Sequence, residues 1–402
     1  MERSNIMNYR IISFYGILAI IIGILVGAVD TVFGRILIAV SEYRDARPQF
    51  LLPFLAIAGL VIVFAYQKFG KNTAKGMGLV FSAGNTQEEE IPKRMIPLVV
   101  GGTWLTHLFG GSAGREGVAV QIGATVGYTF GKRLPFYDAK RIMLVTGMAA
   151  GFAGLFETPI AATFFALEVL AVGRLDYRSL FPAAIGAFVA SYTSHFLGLE
   201  KFTYSLDAEI AVTFPFIMKL LVLGIIFGVV GGLFAKALTD TKKWLAEKLK
   251  NPYQRIFFMG LGLSAILLVL QMGRYSGLGT NLINASFHNE AIHGYDWILK
   301  AVLTILTLAA GFQGGEVTPL FSIGASLGYW LAPFLGLPTE FVAALGYASV
   351  FASATNTFMA PIFIGAEIFG YAYLPYFFTV VGISYVFNNN RSIYTGQLNN
   401  FI

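Results

Sequence analysis

The sequence holds 402 residues, 56% of them apolar and only 12% Asp, Glu, Lys or Arg, where a soluble domain carries about 25% charge. Together with a mean hydropathy of +0.68 this excludes a soluble globular protein, while 45 Gly and 14 Pro suit membrane helices, whose neighbours re-satisfy interrupted backbone. No Cys is present, which excludes a disulfide scaffold, a thiolate metal site and a Cys nucleophile, and the net charge of +6 has to be read by where it sits.

The first element in chain order is an apolar run from Ile11 to Val29 that continues past Asp30 and Arg35 to Val40. It is too long for the core of a cleaved signal and predicts a retained membrane helix. A second long run spans Phe50 to Tyr66. The charges between them, Glu42, Arg44, Asp45 and Arg47, cancel, whereas Lys68, Lys71 and Lys75 follow with no acid. The positive-inside rule therefore puts 68–75 and the N-terminus, with Arg3 and Arg10, in the cytoplasm and a loop at 41–48 outside. Lys236, Lys242, Lys243, Lys248, Lys250 and Arg255, against Asp240 and Glu247, mark a second cytoplasmic connector. The basic excess is thus topological, and no nucleic-acid partner is expected.

Several later apolar segments, 76–84, 116–131, 158–172, 317–332 and 357–372, are shorter than the ~20 residues of a simple span and are interrupted by Gly or Pro. Broken segments at matching positions in two halves point to a transport site at mid-membrane. Gly114–Tyr128 aligns without gaps on Gly315–Tyr329, and Gly147–Leu170 on Gly346–Phe369, each about 200 residues further on. The second pair keeps Phe152/Phe351, Thr158/Thr357, Phe164/Phe363 and Glu168/Glu367. Two homologous halves follow, 1–205 and 206–402. The alignment alone leaves open whether they run parallel or inverted.

Special residues gather where the short helices would begin: Gly76-Met77-Gly78-Leu79-Val80, Gly114-Arg115-Glu116-Gly117-Val118, Gly314-Gly315-Glu316-Val317-Thr318-Pro319, and an isolated Tyr394 in the polar stretch Asn388–Asn400. Glycine lets backbone approach a ligand, and free N–H groups at a helix start favour anions. Glu116 is the anomaly, because a carboxylate in an apolar segment is costly and marks an ion or proton pathway. Ionised, it would itself occupy an anion site; protonated, it would leave. An ion pair with Arg115 is the weaker reading, since adjacent helical residues point apart. Glu316 is either a helix cap or a second coupling carboxylate, and coupling is the preferred reading. Glu168 and Glu367, being repeat-equivalent, are expected to be structural or at a dimer face. His288 and His293 lie in an extramembrane loop without zinc spacing, so no metal or cofactor is expected. No P-loop or HExxH pattern is present, and the chain is not expected to be an enzyme.

This set of motifs over two repeats resembles the CLC chloride channels and proton-coupled exchangers. The resemblance implies an all-α polytopic fold of two inverted repeats of tilted, broken helices, and a homodimer with one pore per subunit. Because the chain ends at Ile402, the cytoplasmic nucleotide-binding tail of many relatives is expected to be absent. Chloride-handling members carry GSGIP, GREGP and GxFxP; here Met77 holds the Ser place, Val80 and Val118 the Pro places, and Val317 the Phe place, with Thr318 before Pro319. These changes look like the CLC-F branch, which exchanges fluoride for protons. Val169 stands where chloride exchangers carry an inner glutamate, so Glu116 would have to serve both sides.

The resemblance thus implies a fluoride/proton antiporter in the inner cell membrane, exporting fluoride. Its site would use the amides of Glu316 and Val317, the hydroxyls of Thr318 and Tyr394, the rings of Phe81 and Phe358, and Met77. Gly76, Gly78, Gly114, Arg115, Gly117 and Gly315 would support it, with Glu116 gating and coupling. A strongly hydrated anion such as fluoride requires compact donors or the electropositive edges of aromatic rings. The alternatives are a chloride or other anion channel or exchanger of the same family, and a non-transporting membrane scaffold or receptor.

Overall fold

The structure, a computed structural model, describes residues 9–85, 89–136, 138–288 and 290–398. Arg3 and the end of the Asn388–Asn400 stretch therefore lie outside the described residues, as does the side chain of Arg10. The chain is all-α. In order it forms α1 (Tyr9–Asp45), α2 (Pro48–Leu51), α3 (Leu55–Ala65), α4 (Met77–Asn85), α5 (Met95–Leu108), α6 (Glu116–Gly131), α7 (Ala139–Phe156), α8 (Pro159–Glu168) and α9 (Leu180–Phe196). Residues 197–213 form no helix. The chain then continues as α10 (Phe214–Lys248), α11 (Pro252–Val269), α12 (Thr280–Phe287), α13 (Asp296–Ala310), α14 (Val317–Leu335), α15 (Thr339–Thr355), α16 (Met359–Phe369) and α17 (Leu374–Val386). Segments long and apolar enough to cross a membrane are Ile11–Asp45, Pro48–Lys75, Ala139–Phe156, Phe214–Lys248 and Pro252–Val269. This is a multi-pass membrane protein.

Two expectations about the first helices change. The helix predicted to end near Val40 runs on to Asp45, so only residues 46–47 remain of the outer loop. Its charged end is tolerated because Arg44 finds acceptors: Nη1 donates to the His107 carbonyl at 2.7 Å, and Nε and Nη2 to Asp45 Oδ1 at 2.9 and 2.7 Å. The second apolar run is not one helix. Pro48 and Pro53 divide it into α2, a 3₁₀ turn over Leu52–Phe54 and α3, since proline lacks the N–H an interior helical position needs.

In a bilayer the apolar effect does not drive helix against helix, so close packing of small residues does. Both halves use the same device. A Cβ built on Gly123 or on Gly147 would lie 2.0 Å from the other's carbonyl oxygen, which lets α6 and α7 cross backbone to backbone. Gly324 and Gly346, the repeat-equivalent pair, do the same for α14 and α15 at 2.1 Å each. Even the turns correspond. Glu157 closes α7 and Asn356 closes α15 in left-handed conformation, with φ of 53° and 54°.

The repeats face one another in opposite senses. Gly114 and Gly315 form an antiparallel bridge, with Gly114 N donating to Gly315 O at 2.5 Å and Gly315 N to Gly114 O at 2.8 Å. The rings of Phe164 and Phe363 stack at 4.8 Å and 7°. Glu168, ending α8, accepts the amides of Phe358, Met359 and Ala360 at the start of α16, at 3.1, 3.0 and 2.9 Å. Glu367 on α16 reciprocates with the amides of Ile160 and Ala161 at the start of α8, at 3.1 and 2.9 Å. A helix start leaves its first N–H groups without intrahelical partners, and each half supplies the missing acceptor to the other. Glu168 and Glu367 are therefore structural caps.

The membrane-crossing connectivity sorts the loops into two faces. One is basic: Lys75 pairs with Glu89 and Lys132 with Glu90, at 2.5 and 2.7 Å, and Leu398 O accepts from Val172 N. There the Lys132 ammonium holds the Glu90 carboxyl below the usual carboxylate range. The opposite face gathers the ends of α1 and α5 and the loops before α12 and α13, tied by Arg44–His107 and Arg274–Asp296 contacts.

Candidate anion site at the repeat junction

The Gly114–Gly315 bridge brings two helix starts together. Glu116 is the first residue of α6 and is completely buried. Its carboxylate crosses to α14, accepting the Thr318 hydroxyl at 2.6 Å on Oε1 and the Thr318 backbone N–H at 3.0 Å on Oε2. Thr318 is the second residue of α14, the position whose amide an N-cap side chain ordinarily satisfies. Glu116 thus fills, from the other repeat, the place where α14 has a free donor and the positive end of its dipole.

Glu316, the N-cap residue itself, makes no cap hydrogen bond. Its carboxylate turns instead towards Lys242, with Nζ 3.5 Å from Oε1, so it stands at the helix start as a charge and not as a hydrogen-bonding cap. Arg115 is close to Glu116 after all: its Nε lies 3.7 Å from Oε1. Adjacent residues point apart only within a helix, and Arg115 sits before it, at φ −128° and ψ −23°. At 3.7 Å it supports the carboxylate electrostatically, without a hydrogen bond to it from that nitrogen.

On the basic side of this junction is a cavity of about 350 Å³, lined by Met77, Phe81, Gln121, Lys242, Glu316 and Tyr394 together with Gly76, Gly78 and Gly117. Gly76 has φ +54°, a turn that starts α4 at Met77 with its first amides at the cavity wall. Tyr394 is buried rather than solvated. Ile393 N donates to Ala354 O at 2.8 Å, fixing the segment, and the Tyr394 ring stacks on Phe81 at 5.2 Å and meets the edge of Phe165 at 6.3 Å.

The structure therefore gathers Met77, Phe81, Glu316 and Tyr394 on one cavity, while Glu116, Arg115, Val317 and Thr318 do not line it but adjoin its lining residues Gly117 and Glu316 in the chain, with Gly114 and Gly315 as the bridge between the repeats. It does not bring Phe358 there. That residue caps α16, packs on Phe378 and Tyr385 at 5.5 and 5.8 Å, and lines another cavity with Glu168 and Arg174. Val169 is wholly buried and apolar.

Sequence reasoning missed several residues of the cavity, Gln121 and Lys242 among them. Gln121 is four residues from Gly117 and donates to its carbonyl at 3.2 Å, so helical spacing from Glu116 and Gly117 would have found it. Lys242 belongs to the basic connector in the sequence but meets Glu316 across 74 positions, for which no local signal exists. The GGSAG run at Gly110–Gly114 spells a G-x-S-x-G pattern but is no nucleophile elbow, since no strand precedes it. Ser112 Oγ is engaged by Lys300 Nζ and Thr304 Oγ1, both at 2.9 Å.

Comparison with known proteins matches this arrangement. The voltage gated chloride channel family, CLC, matches residues 58–389, and the chain belongs to that family. A chloride/fluoride channel protein from Pseudomonas syringae pv. tomato is 36% identical over 388 residues, covering 94% of this chain and 85% of the relative. An H(+)/Cl(−) exchange transporter, ClcA, from Vibrio campbellii is 26% identical over 396 residues, covering 91% and 84%. Among solved structures, a crystal structure of a CLC-type fluoride/proton antiporter is 52% identical with a TM-score of 0.96, covering 98% of this chain and 100% of that one. A slow cyanobacterial Cl−/H+ antiporter, at 19% identity and a TM-score of 0.81 over 95% and 96% of the two chains, shares the fold.

Proposed function

We propose that the protein is a fluoride/proton antiporter that exports fluoride, with Glu116 as the group that couples the two ions. The observation that carries the reading is the Glu116 carboxylate bonded to Thr318 N and Oγ1 at the start of α14. Those are the donors a small anion would use. Ionised, Glu116 holds them and excludes the anion. Protonated, it loses the charge that made it the better acceptor, and a fluoride ion then takes the Thr318 donors while Glu116 moves away with the proton. Anion and proton displace each other at one place, which is the minimum an antiporter requires.

Glu316 and Tyr394, at the cavity end of the path, receive the two ions. Glu316 accepts the proton from Glu116 and Tyr394 donates to the anion. The wall supplied by Met77 and Phe81 in place of a serine hydroxyl favours an anion that binds few, strong donors. The likeness to a fluoride/proton antiporter structure at 52% identity supports fluoride as the substrate. The basic face is cytoplasmic in this reading, placing the N-terminus inside, and two copies form a dimer with a separate path in each.

The test is flux from vesicles loaded with fluoride, with internal pH recorded. Fluoride efflux that draws protons inward against a gradient supports the antiporter. Passive fluoride flux without proton movement makes it a channel. Chloride moving as fast as fluoride returns it to the chloride-handling members.

A further inference from the structure

On the basic face, the ends of α3 and α11 enclose a cavity of about 360 Å³ that the proposed transport cycle does not use. The two helices touch where glycines let them: a Cβ on Gly59 would lie 2.7 Å from Ile256 Cγ1, and one on Gly260 would lie 2.7 Å from Ala56 Cα. Beyond that contact α3 gives way to a π-helical turn over Tyr66–Gly70, and α11 begins only at Pro252. The cavity opens between these two ends. Its floor is apolar, from the buried residues Ile62, Val63 and Ala310, while Lys71, exposed, and Arg255, half-buried, bring two positive charges to it.

No acid answers those charges. The lining holds no Asp or Glu, and among the described residues neither Lys71 nor Arg255 forms an ion pair; Arg255 Nε reaches the Ala310 carbonyl at 3.4 Å. The arginine-rich cavity beside Leu398 is different, since Arg141 pairs there with Asp176 and Arg178 with Asp138, at 2.8 and 2.6 Å. Lys71 is also held at φ +54° and ψ −120°, a conformation that costs a residue with a side chain and that the surrounding structure must impose.

The cavity sits at the level of the membrane boundary. Lys68 lies over the rings of Phe64 and Phe69 at 5.3 and 5.5 Å, as basic and aromatic side chains do at headgroup depth. From there Phe64, Val61 and Ile57 on α3, and Phe258 and Leu261 on α11, are each about half exposed, an apolar band leading away from the cavity into the membrane. Charge and band together fit an anionic amphiphile. We propose that this cavity binds an anionic phospholipid of the leaflet on the basic face, its phosphate between Lys71 and Arg255 and its acyl chains along Phe64, Val61 and Phe258. Basic pockets between membrane helices take such headgroups.

The same cavity touches the ion path. Ala74, Gly311 and Gln313 line both it and the Tyr394 cavity. Tyr66 Oη donates to Gln313 Oε1 at 2.9 Å, and a Cβ on Gly102 would lie 2.7 Å from Gln313 Cγ, so the Gln313 side chain is a clamped partition between the two. Without the lipid, Lys71 and Arg255 compete across that partition for the transported anion; a lipid phosphate neutralises them, and flux rises. The effect on flux rests on the reading of the chain as a fluoride transporter. The binding does not, and the two are measured apart.

The purified full-length protein, delipidated in neutral detergent, is mixed with phosphatidylglycerol or with phosphatidylcholine of the same chains and weighed by native mass spectrometry. One phosphatidylglycerol per chain is expected to stay bound where phosphatidylcholine does not. Lys71→Gln with Arg255→Gln is expected to weaken that binding about tenfold or more. Lys248→Gln with Lys250→Gln, which removes two exposed charges at the end of α10, is expected to leave it unchanged. Should the first pair not purify, its single variants decide. Equal retention of the two lipids, unchanged binding in the Lys71 and Arg255 variants, or displacement of the lipid by inorganic phosphate overturns the site. In vesicles containing phosphatidylglycerol, fluoride flux through the Lys71/Arg255 variant is expected to fall severalfold below that through the Lys248/Lys250 variant, and the gap to close in phosphatidylcholine alone. A gap that persists there assigns the loss to the charges themselves and overturns the link to transport. Specific lipid binding by a protein that moves no fluoride keeps the site and removes the transport reading.

Discussion

At the scale of single residues, the chemistry turns on a carboxylate that satisfies another helix. Replacing Glu116 by Gln keeps its shape and one acceptor oxygen but removes the charge and the titration. Fluoride flux that no longer moves protons is expected, measured as vesicle pH during efflux; coupled movement in Glu116→Gln would assign the proton to another group. Thr318→Val removes the hydroxyl on Oε1 and leaves the backbone donor. A hydrogen bond to a charged group contributes about 1.5–3 kcal/mol, so Glu116 is held less firmly. The variant is expected to lose discrimination between fluoride and chloride by about tenfold or more, as read in competition flux. Met77→Ser restores a hydroxyl to the cavity wall and is expected to raise chloride flux relative to fluoride. No change would make Met77 a spacer.

These residues were legible to different degrees. Glu116 stood out because an acid inside an apolar segment is rare, and the glycines around it because they mark a helix start. Arg115 and Glu316 were harder. Whether adjacent charges meet, or whether an N-cap acid bends back or away, depends on the one or two dihedral angles before the helix. Phe358, one of 37 Phe, could not be told from its neighbours by type, and the structure seats it beside Phe378 and Tyr385.

At the scale of elements, glycine contacts and borrowed caps hold the repeats together. Gly123→Val puts a side chain 2.0 Å from a backbone oxygen that cannot move without parting α6 from α7. Failure to purify as a monodisperse protein is expected, whereas Gly101→Ala, with nothing within 4 Å, is expected to behave as wild type in the same chromatography. Glu168→Gln weakens the acceptor for three amides, and about 1 kcal/mol or more of stability should be lost. Thermal denaturation compared with the exposed-charge variant Glu247→Gln measures this. An unchanged midpoint would mean α16 is held by packing alone.

Element boundaries were legible where chemistry punctuates the chain. The segment 116–131 matches α6, and Pro159 opens α8. The apolar run Phe50–Tyr66 lies within the membrane segment Pro48–Lys75, which Pro53 breaks into a 3₁₀ turn and α3. The extension of α1 to Asp45 was hidden because its charges find partners on α5, far away in sequence.

At the scale of the whole molecule, one symmetry explains the site. Aligned repeats announced two related halves, and the resemblance supplied their inversion. The structure expresses it in the Gly114–Gly315 bridge, the Phe164–Phe363 stack and the exchanged caps of Glu168 and Glu367. The same relation that places Glu168 on α16 and Glu367 on α8 places Glu116 on α14. Two of these borrowed caps are fixed parts of the fold. The third, Glu116, precedes the cavity-lining Gly117 and bonds Thr318, two residues past the cavity-lining Glu316, and in the proposed cycle it is the one that leaves. What the sequence could not convey were the contacts made across the repeats, such as Lys242 with Glu316 or Lys300 with the Gly277 loop, since they depend on the assembled fold.

The most direct measurement of this account is simultaneous fluoride efflux and internal pH in vesicles containing the purified wild-type chain, with Glu116→Gln run alongside. Fluoride leaving down its gradient is expected to drive protons inward against theirs, chloride to move much more slowly, and proton movement to vanish in Glu116→Gln. Fluoride flux of equal rate with no pH change in the wild-type protein would contradict it.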